Sequence, residues 1–534
     1  MFRLLRTIRY KDLERMAFHN PQKIKSIKLL AGLLLFFTVL EIGFYGLLYF
    51  CPQVHKTESV VRLNSWMWLF LLSLCVVQFL INDSLFHLLK LYFQWFKKSS
   101  RSFKTHFLAA GAMLCIVMYL STGTLSPYAN TVDFPPDYPM VKPPCHYLFN
   151  GDYYEFSALF CLFDGKHRST WKYSMFLRRV LYNALAYPFM KIFEHDFGGL
   201  IFNFFLTILA FMSFALFALR TNGESGAIAG MWLLALYPGI TYYSGQPFLY
   251  AFIVPSCLWL YMLLWKLNKY TSISNVWIVS LGMGVLFLGY DLLVFFGPAS
   301  LVLLLFRKKY VQVPVLVSGM LLLTALWWCM VHFGLNVSLS NENSSLYSII
   351  LKSYFHPFDF SRWLELLKNL PENLFYNYFF SSFFFLPVLF IAGCIITVCT
   401  RRKLLTLPET CLLAAVAIMF LFNNCAPPYD NKWQMRGTWI ARLYQPMFVV
   451  LLFSCARLFQ AIAIEKRARR LKIVMIALLF VTVSGNGLVA LGPALNDPAG
   501  ISSWVYWNFY KHSPRQTMNI NLAKYGRRPW GFCR

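Results

Sequence analysis

Charged residues are scarce in this sequence. Asp, Glu, Lys and Arg together make up 13% of its 534 residues, about half of the roughly 25% that is typical of a soluble domain. Hydrophobic residues account for 58%, and the mean hydropathy is +0.53. Apolar runs long enough to cross a bilayer recur along the chain. The composition excludes an ordinary soluble enzyme and predicts an all-α, polytopic transmembrane helical bundle.

The sequence also lacks the motifs of nucleotide and dedicated metal chemistry. It has no Walker phosphate loop, EF-hand, His-Glu-x-x-His or Cys-x-x-Cys pair, which argues against nucleotide hydrolysis and against a dedicated metal cage. Eight of the thirteen cysteines fall in or at the ends of apolar runs, where they are read as small apolar side chains. Among the other five, Cys145 and Cys161 are the favoured disulfide pair.

Acidic residues are few relative to basic ones, 22 against 49, which gives a formal net charge of +27. Because Lys and Arg gather in the cytoplasmic loops of membrane proteins, this excess indicates orientation rather than a nucleic-acid partner. The basic segment from Met1 to Lys28 places the N-terminus in the cytoplasm. About thirteen spans follow by hydropathy. With that number the later basic clusters all fall on the cytoplasmic side: Lys97–Lys104, Lys266 and Lys269, Arg307–Lys309, Arg401–Lys403 and Lys466–Lys472.

One apolar segment, residues 178–193, is read as a re-entrant or interfacial helix, because counting it as a span would invert every later loop. The largest loops are then external, at residues 121–176, 334–376 and 423–441. Large loops on one face usually carry chemistry or bind partners. Three parts are predicted: a basic N-terminus with two spans (1–104), a transmembrane core with the external loops (105–460), and the last span with an external tail (461–534).

Carboxylates are concentrated in the first predicted external loop, where they alternate with aromatic residues. Four of the carboxylates in this loop are Asp133, Asp137, Asp152 and Glu155. A carboxylate at the bilayer surface beside apolar groups can have its pKa raised towards the range of a general base. Asp133 and Asp152 could equally be turn or helix-cap residues. Both interpretations stay open on these residues alone.

Two further charged positions stand beside apolar segments. Arg178 and Arg179 lead a short apolar stretch, where guanidinium groups either hold the phosphate of a lipid-linked substrate or anchor to lipid phosphates. Asp291 lies between the apolar runs 276–290 and 292–306. A carboxylate at membrane depth is costly unless it is paired or faces a water-lined cavity. The alternative for Asp291 is a helix end at the interface.

The order of these elements resembles the GT-C superfamily of polytopic glycosyltransferases, which includes lipid A aminoarabinose transferases and protein O-mannosyltransferases. A span is followed by an external loop ending in Gly-Asp152-Tyr-Tyr, and then by the Arg179-x-Leu-Tyr-x-x-Leu-Ala-x-Pro188 segment. Three later motifs are similar to the same pattern: Leu236–Gln246, Gly289–Asp291 and Trp433–Pro446. The resemblance covers roughly residues 105–460 and rests on element order.

The resemblance implies an integral membrane glycosyltransferase that moves a sugar from a polyprenyl-phosphate-linked donor to an extracytoplasmic glycan, lipid or protein acceptor. The catalytic carboxylate is then Asp152 or Asp133, acting as a general base or orienting the acceptor. The residues expected to bind the substrate and its carrier phosphate are Arg178, Arg179, Asp291, Lys432, Arg436 and Arg442. The expected location is the bacterial inner membrane, with the active site on the periplasmic face.

Cofactors and partners follow from the same resemblance. No cofactor is required and no metal ligand is assigned, but a divalent cation such as Mg²⁺ or Mn²⁺ is left open because the loop carboxylates are hard oxygen ligands. The expected partners are the lipid-linked donor, the acceptor and membrane lipids, without nucleic acid. Two alternatives to the enzyme stay open: a transporter or flippase of a lipid-linked glycan, and a non-catalytic membrane assembly protein.

Overall fold

A computed structural model describes ten stretches of the chain and five isolated positions. The stretches are residues 21–50, 58–82, 96–121, 179–193, 195–244, 249–337, 386–400, 405–425, 445–464 and 469–495, and the isolated positions are 94, 159, 162, 163 and 177. Within these residues the regular structure is helical and contains no β-strand. The predicted all-α class is therefore confirmed for the part of the chain that the structure describes.

Fourteen α-helices occur in the described residues. They are α1 (Pro21–Tyr49), α2 (Glu58–Asn82), α3 (Arg101–Ser121), α4 (Val180–Ile192), α5 (His195–Ala235), α6 (Pro238–Ser244), α7 (Ile253–Lys269), α8 (Ile273–Phe287), α9 (Phe296–Phe306), α10 (Gln312–Cys329), α11 (Leu386–Thr400), α12 (Leu407–Cys425), α13 (Gln445–Ile464) and α14 (Arg469–Leu495). Two 3₁₀ turns, Leu249–Phe252 and Asp291–Phe295, precede α7 and α9, and a π-helical turn, Met330–Gly334, continues α10.

Eight of these helical segments are long and apolar enough to cross a membrane, and four further apolar helices are shorter. The predicted number of about thirteen spans is not confirmed. Hydropathy counts apolar runs, whereas a helix must also reach about 20 residues to cross the hydrocarbon layer. Helices α8, α9 and α11, for example, have 15, 11 and 15 residues. The long apolar helices indicate an integral membrane protein.

The bundle has central and peripheral helices. In the spans that contain α7 and α13, 78% and 72% of the residues are buried, against 22% for α14. Peripheral helices turn large apolar side chains outwards, as Leu35 on α1 and Phe480 on α14 do. Since such surfaces are unfavourable in water, the outer helices have the apolar exterior that a lipid environment requires.

Helix α5 is broken at Gly223, where φ is +76°. The two halves fold back on each other: a β-carbon added to Gly230 would lie 2.7 Å from the ring of Phe214. Hydropathy predicts separate spans at residues 200–219 and 226–244, on either side of this break. The span 226–244 is itself interrupted, because α5 ends at Ala235 and α6 begins at Pro238. Proline lacks the N–H that would continue a helix. The resemblance implies that the Leu236–Gln246 motif is a short external turn after a span. In the structure most of this motif is a helix, α6.

The predicted short helix after Arg178 is present as α4, with 13 residues. At 1.5 Å per residue it is about 20 Å long, too short to cross the hydrocarbon layer of roughly 30 Å. It packs along α5. The length fits the re-entrant or interfacial helix that the charge alternation requires.

Three of the predicted cytoplasmic basic clusters lie at one end of the bundle, which we call the basic end. Ser100 donates its backbone N–H to Glu224 at 2.9 Å. Arg220, one turn before the break in α5, lies 5.9 Å from the ring of Trp265 on α7. Arg307 donates two hydrogen bonds to Asn268 Oδ1, at 2.7 and 3.1 Å. These contacts join the regions around residues 97–104, 266–269 and 307–309.

Substituting Gly223→Ala should destabilise the fold. A non-glycine residue at positive φ costs about 1–2 kcal/mol, and the added β-carbon would lie 2.5 Å from the Gln460 side chain. The matched control is Gly32→Ala, because a β-carbon on Gly32 meets nothing within 4 Å. Thermal unfolding in detergent should show a lower Tm for G223A and an unchanged or slightly raised Tm for G32A. Equal Tm values for the two variants would contradict this account of the break.

Candidate functional site

The structure describes the side chain of one of the predicted site residues, Arg179. It also describes the backbone of Asp291, which begins the 3₁₀ turn between α8 and α9. The other predicted site residues and the predicted disulfide lie outside the described residues. They are Asp133, Asp152, Arg178, Lys432, Arg436, Arg442, Cys145 and Cys161. The site is therefore built from the helices that carry Arg179 and the three later motifs.

Arg179 immediately precedes α4 and is 8% exposed. Its guanidinium carbon lies 4.6 Å from the ring centroid of Tyr290, a distance at which a cation is attracted to the aromatic face. The Tyr290 ring in turn meets Tyr250 edge-on, with centroids 6.3 Å apart. Because Tyr290 directly precedes Asp291, the structure brings the arginine segment together with the Gly289–Asp291 motif.

Two hydrogen bonds hold the start of α4 in this position. The backbone N–H of Leu181, which has no partner within its own helix, donates to the carbonyl of Leu288 at 3.1 Å. The indole Nε1 of Trp327 on α10 donates to the carbonyl of Leu177 at 2.6 Å. The approach to α4 is thus tied to α10, and its first turn is tied to the end of α8.

A buried chain of hydrogen bonds connects α4, α5 and α6. The hydroxyl of Tyr182 donates to Asn203 Oδ1 at 2.8 Å, and Asn203 Nδ2 donates to the carbonyl of Ser244 at 3.2 Å. Tyr182, Asn203 and Ser244 are all buried. Ser244 ends α6, so the chain brings the Leu236–Gln246 motif to the arginine segment.

The Trp433–Pro446 motif reaches the same region through its last two residues. Gln445 is fully buried at the start of α13, and its Oε1 accepts a hydrogen bond of 3.0 Å from the Tyr237 hydroxyl. Tyr237 also stacks on Phe448, with centroids 3.8 Å apart and an angle of 11° between the rings. Four motifs that are distant in the sequence therefore meet at one end of the bundle, which we call the motif end.

The motif end and the basic end lie at opposite ends of the same helices. Asn203 belongs to the motif end, and Arg220 belongs to the basic end. Arg220 follows Asn203 by 17 residues on α5, so the two are about 25 Å apart along the helix. Helix α7 also connects the two ends. Tyr250, just before its start, lies at the motif end, and Lys269, its last residue, lies at the basic end. The motif end is therefore on the side that the charge distribution assigns to the exterior.

One buried residue at the motif end has unused hydrogen-bonding capacity. Asn183, on α4 beside Tyr182, is 2% exposed, and neither its Nδ2 nor its Oδ1 has a partner in the described structure. Thr207 Oγ1 on α5 is likewise buried without one. Buried polar atoms are nearly always paired. These atoms therefore favour a polar guest such as water or a sugar hydroxyl at this position.

Sequence reasoning gave no individual role to the residues that hold the motif end together: Tyr182, Asn203, Tyr237, Tyr290 and Gln445. The signal available was a polar side chain within or beside an apolar run, but such residues also cap helix ends. No group of three or more His, Cys, Asp or Glu side chains that could hold a metal occurs in the part of the chain that the structure describes. The loop carboxylates considered for a divalent cation lie outside that part.

Sequence reasoning also missed an ion pair inside the bundle. Glu409 on α12 is fully buried, and Arg457 on α13 donates to both of its carboxylate oxygens, with Nη1 2.8 Å from Oε2. The carboxylate also accepts from the Tyr261 hydroxyl at 2.7 Å and from the Thr406 backbone N–H at 2.6 Å. With these four bonds the pair joins α7, α12 and α13, and we assign it a structural role.

No protein-family model and no curated protein matches the chain. The likeness to the GT-C superfamily accordingly depends on the motifs and their order. The charge alternation already predicts that these motifs lie on one face of the membrane. The structure adds direct contacts within that region, of Arg179 with Tyr290, of Asn203 with Ser244 and of Gln445 with Tyr237.

Substituting Glu409→Gln should destabilise the protein by about 3 kcal/mol, because it leaves Arg457 in an apolar bundle without its carboxylate. The double variant E409L/R457M should recover most of this loss, since it removes both charges. Glu224→Gln is the matched control: Glu224 is half-buried and accepts a hydrogen bond from the Ser100 backbone N–H, so the loss of stability should be about 1 kcal/mol. Unfolding in detergent measures all three, and equal losses for E409Q and E224Q would contradict the assignment.

Proposed function

We propose that this chain is an integral membrane glycosyltransferase of GT-C type. It transfers a sugar from a polyprenyl-phosphate-linked donor to an acceptor on the extracytoplasmic face. The observation that carries the proposal is the meeting at the motif end of the Arg179 segment, the Gly289–Asp291 motif, α6 and the start of α13. These contacts place the buried guanidinium group of Arg179 in the same region as the other three motifs.

Arg179 is the residue that we assign to the carrier phosphate. It is buried at the head of α4, and the Tyr290 ring fixes the position of its guanidinium group. A guanidinium group binds phosphate with two parallel hydrogen bonds and stays charged at all working pH values. In the proposed complex the prenyl chain lies in the lipid, and the phosphate reaches the motif end from the membrane surface.

The proposed chemistry needs a cation and a base and no nucleotide. The acceptor hydroxyl attacks the anomeric carbon, its proton passes to the carboxylate of Asp152 or Asp133, and the bond between the anomeric carbon and the phosphate oxygen breaks. Negative charge develops on the departing phosphate, where Arg179 and the arginines of the predicted external loops stabilise the transition state more than the ground state. Asn183 offers a donor and an acceptor for a sugar hydroxyl.

Substituting Arg179→Ala should weaken binding of polyprenyl phosphate, the carrier without its sugar, by about tenfold to a hundredfold. A hydrogen bond to a charged group contributes about 1.5–3 kcal/mol, and 1.4 kcal/mol corresponds to a factor of ten. Titration of the purified protein in nanodiscs, followed by tryptophan fluorescence, measures the Kd. The uncharged prenol serves as the reference ligand and should bind both proteins equally.

Two further variants separate charge from fold in that titration. Arg179→Lys keeps the positive charge and should recover part of the affinity. Arg307→Ala removes an exposed arginine at the basic end and should leave the Kd unchanged. If R179A binds the phosphate as tightly as the unsubstituted protein does, the assignment of Arg179 to the carrier phosphate is wrong.

Substituting Asp133→Asn and Asp152→Asn separately should identify the carboxylate. Loss of a general base typically lowers the rate by about 10²–10⁴-fold, so one of the two variants should lose transfer while keeping the Kd for polyprenyl phosphate. Transfer is measured in membrane vesicles as radiolabel passing from polyprenyl-phosphate-linked sugar into a new glycosidic product. Full activity in both variants would contradict the site. Movement of the labelled lipid across the bilayer without a new glycosidic bond would instead identify a transporter.

A further inference from the structure

A second buried carboxylate lies away from the motif end, on the first helix. Glu41 on α1 is fully buried, and its Oε1 accepts a hydrogen bond from the hydroxyl of Tyr45 one turn later. Its other oxygen, Oε2, has no hydrogen-bond partner among the described residues. Unlike Glu409, which is paired with an arginine, Glu41 makes no ion pair within the described structure.

The packing of α1 against α2 places other unpaired polar groups beside Glu41. Tyr45 and Asn64 both border Gly334: a β-carbon added to that glycine would lie 3.2 Å from the tyrosine ring and 3.1 Å from Asn64 Nδ2. Further along the two helices from Gly334, Phe37 on α1 contacts Phe70 on α2, with ring centroids 4.8 Å apart. The two helices are thus antiparallel neighbours with a known register.

That register puts Glu41 level with Trp68. Glu41 precedes Tyr45 by four residues and Trp68 follows Asn64 by four, so both lie about 6 Å further into the bundle than the Gly334 contact. Trp68 is fully buried, and its Nε1 has no hydrogen-bond partner among the described residues. An unpaired donor and an unpaired acceptor therefore occur at the same depth on facing helices.

Two more unpaired oxygens complete a group that we call the Glu41 cluster: Thr38, Glu41, Tyr45, Asn64 and Trp68. Thr38 Oγ1 lies about one turn before Glu41, and Asn64 Oδ1 about one turn before Trp68, and neither has a partner in the part of the chain that the structure describes. Four unpaired buried polar atoms on two adjoining helices are exceptional, since such atoms are nearly always satisfied by protein or by ordered water.

Among the residues that the structure describes, no cationic side chain pairs with Glu41. The titratable side chains described on the elements packed here are Tyr45 and Tyr49 on α1, Arg62 and Cys75 on α2, Cys329 on α10 and His332 in the π-helical turn. His332 directs its Nδ1 to the carbonyl of Val337 at 3.2 Å. The arginine of α2, Arg62, has an exposed side chain. An unpaired ionised carboxylate in such surroundings is strongly disfavoured.

We propose that the Glu41 cluster is a proton-binding site within the membrane, in which Glu41 carries the proton and ordered water connects it to Trp68, Asn64 and Thr38. Protonation converts Oε2 from an acceptor without a partner into a hydroxyl that donates to water. A water molecule in turn has the donors and acceptors that match an indole N–H, an amide oxygen and a hydroxyl.

The proton reaches this site from the end of the bundle that carries the predicted external loops. Glu41 lies eight residues before the end of α1, about 12 Å along the helix. The π-helical turn borders the cluster on that side, where Asn64 Nδ2 donates to the Gly334 carbonyl at 3.0 Å. π-Helical turns are often found at functional sites. One turn from Trp68, Ser65 Oγ donates to the carbonyl of Leu162, a residue of the first predicted external loop.

An apolar carbodiimide tests the proposal on the unsubstituted protein. A protonated carboxyl group adds to this reagent: its proton goes to one nitrogen and its oxygen to the central carbon, and the adduct rearranges to a stable N-acylurea without losing an atom. The full-length protein in nanodiscs should acquire this adduct on Glu41, located by mass spectrometry of peptides. Labelling should fall as the pH rises, by about tenfold per pH unit once most of the carboxyl group is ionised.

Two variants test whether the carbodiimide labels Glu41 itself. Glu41→Gln should abolish the adduct on the α1 peptide while leaving binding of polyprenyl phosphate unchanged, which separates this site from the proposed active site. Glu224→Gln removes a half-buried carboxylate at the basic end and should leave labelling of Glu41 unchanged. Absence of the adduct on Glu41 in the unsubstituted protein at every pH, or labelling that does not vary with pH, would overturn the proposal.

Discussion

The pairing of polar groups inside an apolar bundle is the constraint on which the rest of this structure depends. In hydrocarbon an unpaired backbone N–H or C=O costs several kcal/mol, so a spanning segment must satisfy its backbone within itself. The described residues obey this constraint by being helical. The same constraint acts on side chains, and it explains why Glu409 meets Arg457, Tyr261 and a backbone N–H at once.

At the motif end the same constraint determines how the helices connect. Asn203 pairs with Tyr182 and with the Ser244 carbonyl, and Gln445 pairs with Tyr237, so each polar side chain links two segments that are far apart in sequence. Pairing is incomplete in two places. Asn183 in this region and the Glu41 cluster on α1 and α2 have polar atoms without partners among the described residues, and a polar guest such as water could pair with them.

Several features could be predicted because they depend on composition and on local chain chemistry. The scarcity of charge predicted membrane helices, and the arginine-led apolar segment predicted the short helix α4. The register of side chains could not be predicted, because hydropathy shows that a run is apolar but not which face meets which neighbour. The break at Gly223 falls between the predicted spans 200–219 and 226–244. The restart at Pro238 was not predicted, and it interrupts the span 226–244 because a proline cannot continue a helix.

The sequence by itself determined that this is a helical membrane protein, because the length and the composition of its apolar runs can be read directly from the order of residues. Only the tertiary structure decided which of its polar residues meet. Arg179 joins Tyr290 across more than a hundred residues, and Glu41 pairs with no cationic side chain among the described residues although arginines and lysines are numerous. These outcomes depend on helix order, tilt and register, and those are fixed by packing between segments rather than by any segment alone.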